Sequence, residues 1–280
     1  MAKRNSARSY KVSPWVPNQH GAWSMLVGPA LVASIALIVF AAVGHPSDAV
    51  LRLVCLVCIV VAWLTGYFTF FAFGLWVKAR NPARRHAYGQ PLKVYGPICA
   101  ATCTFAVIFY PHLLFWALPF APLIGLAVYE TLKGRSRSVL SGFSTTFASS
   151  LIIPAILHIV TRPSARILAV TAFVGLYHFS TTMYVKSVVR EKGNDRFWVA
   201  SIAYHAACLV ACVVGAVLWP AAYTILSPVV MAAALARAVV IPRKQRQGQK
   251  FTAKQIGMME VPITVAAYAL SLWALLSILL

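Results

Sequence analysis

His178, Thr182, Lys186 and Arg190 recur every four residues, so on a helix they form one stripe. Tyr177, Thr181 and Tyr184 run beside it, and Glu191, Asn194 and Asp195 follow. The surrounding block is apolar, and ionisable groups in such a setting are costly and usually line a cavity. Lys and Arg at this spacing suit an anion, because a guanidinium fork matches phosphate or carboxylate oxygens and an ammonium adds a point charge. His178 and Glu191 are the candidate general bases if a group is transferred. An earlier segment has the same character: Lys78, Arg80, Arg84, Arg85, His86 and Lys93, with no carboxylate among them. A third run, Pro17-Asn18-Gln19-His20-Gly21-Ala22-Trp23, opens the first apolar block. Asn18 is placed to cap a helix there, and Trp23 suits a membrane interface.

Each ingredient also has a structural role to fill. Cations at Lys78 and Lys186 complement a helix C-terminus whatever the function, and Arg84, Arg85 and His86 suit anionic lipid head groups. Ser141, Thr145 and Ser149 share one helix face and suit helix–helix hydrogen bonding. Glu130, Glu191, Asp195 and Glu260 are the acids expected on the basic side, as ion-pair partners, orienters or proton carriers. His205 falls about 13 Å past Arg196, at a depth similar to that of His178. Together these residues imply a polar funnel descending from one side of an apolar layer.

The elements that must position them are membrane helices. Apart from Arg52, Arg162 and Arg166, every Lys and Arg falls within Lys3–Lys11, Lys78–Lys93, Lys133–Arg137, Lys186–Arg196 or Arg237–Lys254. These stretches alternate with apolar blocks, as expected when Lys and Arg are held on the cytoplasmic side during insertion. With 60% hydrophobic and 11% charged residues, the chain is far from a soluble domain, where about 25% charged is usual. The apolar blocks predict nine spans near 22–43, 50–77, 94–110, 113–132, 139–160, 165–185, 197–217, 221–240 and 257–279. The expected fold is therefore all-α, a polytopic membrane helical bundle in the inner (cytoplasmic) membrane, with the N-terminus cytoplasmic and the C-terminus outside. Residues 1–16 form a basic cytoplasmic tail and 17–280 a single integral membrane helical domain.

The formal net charge of +20 is absorbed by this sorting and by attraction to anionic lipid head groups, so no nucleic-acid partner is expected. Cys55/Cys58, Cys99/Cys103 and Cys208/Cys212 lie inside spans and read as small packing residues. His45, His112 and His158 fall near the outer face without ligand spacing, so no metal and no cofactor are expected.

The run from Pro17 to Trp23, with Arg190-Glu191-Lys192 and Asn194, resembles the YwiC-like family of bacterial membrane proteins. The placement of the basic segments after the second and sixth spans is similar to that in UbiA-type intramembrane prenyltransferases. Gln90-Pro91-Leu92-Lys93 is similar to a segment of that superfamily. That resemblance implies two converging segments that hold a prenyl diphosphate. The superfamily uses aspartate-rich motifs and magnesium there; this chain has Lys78, Arg80, Lys186 and Arg190 instead. Cations repel magnesium and can hold phosphate directly. The expectation is a magnesium-independent cytoplasmic pocket for an anionic, phosphorylated isoprenoid or membrane lipid. Lys78, Arg80, Lys186 and Arg190 would contact the head group, His20, His178 and Tyr184 would line the pocket, and Lys93 and Asn194 complete the substrate-binding set. The alternatives are a small-anion or lipid transporter, with Pro119, Pro122, Pro154 and Pro228 as helix breaks, and an assembly factor without a ligand.

Overall fold

A computed structural model describes residues 13–17, 20–44 and 48–280. The expected basic tail, residues 1–16, lies largely outside them, as do Asn18, Gln19 and His45. The described chain is built from α1 (His20–Gly44), α2 (Ala49–Lys78), α3 (Pro82–Phe109), α4 (Ala117–Leu132), α5 (Val139–Ser150), α6 (Ile152–Leu157), α7 (Ala165–Val189), α8 (Asp195–Leu218), α9 (Ala222–Arg246) and α10 (Ala253–Leu279). A 3-10 turn over Pro111–Trp116 leads into α4. No strand occurs among the described residues, and nine of their helical segments are long and apolar enough to cross a membrane. The chain is an all-α polytopic bundle.

Several ends differ from the sequence expectation. The third span starts at Pro82, twelve residues before 94, so most of the basic stretch Lys78–Lys93 is helix and only 79–81 connect α2 to α3. The physical reason is local. Asn81 accepts from the backbone N–H groups of Ala83 and Arg84, and Pro82 supplies a first-turn residue with no N–H to satisfy. In the same way α9 runs on to Arg246 rather than 240, and α10 begins at Ala253 behind a Thr252–Gln255 capping box. The fifth span divides at Leu151 into α5 and α6, because Pro154 has no N–H for the carbonyl of Ser150.

α7 is the hub. It packs against α5, α6, α8, α9 and α10, while α1 packs against α2, α5, α6 and α10. The α2/α3, α4/α5 and α8/α9 pairs are hairpins. The α2/α3 pair lies at the edge, joined to the rest through α1, α4 and the 3-10 turn. Its link to α1 includes Trp63 Nε1–H donating to Leu26 O at 2.9 Å. Close approach at α7 requires Gly175, where a Cβ would meet Ser150 Oγ at 2.9 Å and the Phe147 ring at 3.1 Å. This arrangement gathers the described basic segments at one end of the bundle, over the most buried helix.

Candidate functional site

The basic end is organised by the turn 133–138 between α4 and α5, which Gly134 allows by taking φ +74°. Lys78 Nζ donates to Ser136 Oγ at 2.6 Å from the end of α2, and Lys186 Nζ donates to Arg137 O at 2.9 Å from α7. The two lysines thus hold one turn from two different helices. Lys78, Gly134, Arg135, Ser136, Arg137 and Ser138 line an open pocket of about 570 Å³. Lys186 is buried, its ammonium 5.6 Å from the centre of the Phe197 ring. Arg190 is exposed, yet local desolvation and the neighbouring Arg137 guanidinium hold its pKa below the ordinary arginine value. It remains charged, because a guanidinium does not deprotonate in proteins.

The other expected site residues are spread more widely. Arg80 is exposed in the 79–81 connection. Lys93 stands on α3 and lines a separate groove of about 320 Å³ with Trp76, Arg85, His86 and Gln90. There the Arg85 guanidinium lies 4.3 Å over the Trp76 ring, and Gln90 Nε2 meets His86 Nε2 at 3.0 Å. Asn194 accepts from Phe197 N at 3.1 Å to cap α8 and donates to Glu191 Oε2 at 2.9 Å. Glu191 therefore sits at the α7–α8 junction, whereas His178 lies 12 residues before Arg190, about 18 Å along α7. His20 opens α1, but its side chain lies outside the described atoms.

Beneath the basic end runs a buried polar column. Tyr184 is fully buried, with the Arg237 guanidinium 4.4 Å over its ring. Arg237 Nη1 donates to Glu260 Oε2 at 2.7 Å. Deeper, Tyr177 and Thr264 share a hydrogen bond at 2.8 Å, and His178 Nε2 meets Tyr268 OH at 2.8 Å. His205 Nδ1 donates to Ser201 O at 2.7 Å. The stripe on α7 was legible, but Arg237, Thr264 and Tyr268 were not singled out by sequence. A signal existed for Arg237, which lies inside the predicted eighth span and not only within a basic stretch. Among the described residues no group of three or more His, Cys, Asp and Glu could hold a metal ion.

A model of the family described as YwiC-like protein matches residues 16–157, just over half of the 280-residue chain. The chain belongs to the YwiC-like family. An uncharacterised protein of Haemophilus influenzae is 24% identical over 219 residues, which cover 78% of this chain and 86% of that protein. No solved structure matches. The YwiC-like region spans α1 to α6. It includes Lys78, Arg80, Lys93 and the turn 133–138, and ends before α7 supplies Tyr184, Lys186 and Arg190. A multi-pass membrane protein of the YwiC-like family is what the helices and the match together describe.

Proposed function

We propose that the basic end binds an anionic, phosphorylated head group of a membrane lipid or isoprenoid, without magnesium, on the cytoplasmic side of the inner membrane. The observation that carries the reading is that Lys78 and Lys186 from two helices hold the one turn that bears Arg137, with Arg190 in electrostatic reach of it. Like charges held together repel, and an oxyanion between them removes that cost while engaging both guanidinium forks. Arg80 and Asn194 extend the charged and polar rim, and Tyr184 lies buried below it. The apolar tail lies among the membrane helices. If a group is transferred, the bound cations stabilise the leaving phosphate electrostatically. Glu191, at the α7–α8 junction, is the base to test, since His178 lies about 18 Å away along α7.

Native mass spectrometry of the purified protein, loaded with a polyprenyl phosphate or an anionic phospholipid, tests this. Replacing Lys78, Arg80, Lys186 and Arg190 together by Ala is expected to remove the bound phosphate lipid. Retention by a variant that still folds, as judged by circular dichroism, overturns the reading. Addition of EDTA is expected to leave binding unchanged.

A further inference from the structure

The ion pair between Arg237 and Glu260 is buried in the bundle and built lopsidedly. Arg237 lies nine residues before Arg246 and Glu260 seven after Ala253, so both sit about 10–13 Å inside their helices. The pair uses one contact, Nη1 to Oε2. Arg237 Nε and Nη2, which form the side-on fork of the guanidinium, are buried without a hydrogen-bond partner, and so is Glu260 Oε1. Buried polar groups are rarely left unmatched, and an unused guanidinium fork is costly. Around it, Tyr184 OH and Ser201 Oγ are likewise buried and unpartnered. Thr181 stands next to Glu260, and His205 lies within electrostatic reach of Arg237. The two unmet nitrogens of Arg237 are donors only, on a fork that fits two oxygens of a carboxylate or phosphate.

From this geometry we propose that the Nε/Nη2 edge of Arg237 is an intramembrane seat for an oxyanion, which enters together with one proton accepted by Glu260. The charge balance requires the proton. Arg237 and Glu260 together carry no net charge, so an added monoanion leaves the buried site at −1, which low dielectric penalises. The anion competes for the guanidinium that holds Glu260, and Oε1 is already free to take the proton. The other ionisable groups facing the pair are Tyr177 and Tyr184 from α7 and His205 from α8. Tyr177 is already engaged with Thr264. Because Ser201 O can only accept, neutral His205 carries its hydrogen on Nδ1 and leaves Nε2 as a bare acceptor, the competing place for the proton. This seat is separate from the basic-end reading and does not rest on it.

The full chain in phosphatidylcholine nanodiscs, with Lys78 and Arg190 changed to Ala to suppress anion binding at the basic end, is titrated calorimetrically with acetate and with inorganic phosphate. Running acetate in two buffers of different ionisation enthalpy reads the proton count, and comparing the two anions decides between a carboxylate and a phosphate ligand. One acetate or phosphate per chain is expected, with one proton taken up per acetate. E260Q is expected to bind about tenfold more tightly without proton uptake, since it leaves the site cationic. R237K, which keeps charge but loses the fork, is expected to bind at least about tenfold more weakly. His205→Gln is expected to keep the proton uptake. Failure of both anions to bind, weaker binding by E260Q, wild-type binding by R237K, or proton uptake that vanishes with His205 instead of Glu260 each overturns the proposal.

Discussion

Tyr268 occupies the space that a side chain at position 28 would need: a Cβ on Gly28 would lie 2.1 Å from Tyr268 Cζ. This approach of α10 to α1 lets Tyr268 OH donate to Ser24 O at 2.8 Å. That donation uses the phenolic hydrogen, so His178 Nε2 must donate its own to Tyr268. One glycine thus permits a three-helix link between α1, α10 and α7.

Gly28→Ala is expected to cost about 1–3 kcal/mol by overpacking, less the small gain in helix propensity. Tyr268→Leu removes both the clash and the hydrogen bonds. Thermal unfolding in detergent of both single variants and the double checks this. The expected result is strong non-additivity, with Gly28→Ala close to neutral once Tyr268 is gone. Additive losses would mean that the two residues do not share this space.

The apolar blocks and sorted cations made the nine spans seen among the described residues legible, because span length and loop charge are local properties of the sequence. The start of α3 was missed because Arg84, Arg85 and His86 read as loop, while the signal that decides it is the pair Asn81-Pro82. Lys186 and Tyr184 were legible from the stripe on α7. What the sequence could not give is the partner across a helix gap. Arg237 with Glu260, Tyr268 with Gly28, and Lys186 with the carbonyl of Arg137 depend on helix order in space, which no periodicity encodes.

Asn194 separates a structural role from a binding role. Its Oδ1 caps α8, so Asn194→Ala is expected to cost about 1 kcal/mol of stability. Asn194→Asp keeps a capping oxygen, but places a carboxylate beside Glu191 and loses the amide donor to it. If the head group reaches Asn194, the Asp variant is expected to fold with near-normal stability and to hold the phosphate lipid less well in native mass spectrometry. Unchanged lipid retention would assign Asn194 to capping alone.

At the opposite end, Trp116 Nε1–H donates to His158 Nδ1 at 3.1 Å, and the His112 ring lies 4.3 Å away, centre to centre. Desolvation first, then the charges of His112 and Arg162, push the His158 pKa below its ordinary value of 6.5. A depressed basic group binds its proton more readily in the unfolded chain. The stability it contributes is therefore complete above pH 6.5 and lost as pH falls below that value. The wild-type Tm is expected to drop between pH 7.5 and pH 5, and His158→Gln, which can still accept from Trp116, is expected to flatten that drop. An identical slope in the variant would place the titration elsewhere.

Glycines in this bundle divide by what they face, and alanine substitution should reveal the division. At Gly175 the added Cβ would press on Ser150 Oγ and Phe147, where α5 and α7 meet. At Gly215 on α8 it would meet nothing within 4 Å. Gly215→Ala is thus expected to stabilise by about 0.5–1 kcal/mol through helix propensity. Gly175→Ala is expected to cost about 1–3 kcal/mol, because the helices must separate or Phe147 must leave its rotamer. Ser150 Oγ also donates to Phe147 O at 2.9 Å, so the hydroxyl cannot move aside without losing that bond. Changing Ser150 to Gly beside Gly175→Ala vacates the nearest contact and is expected to recover part of the loss, whereas no recovery would show that Phe147 alone sets the approach of α5 to α7.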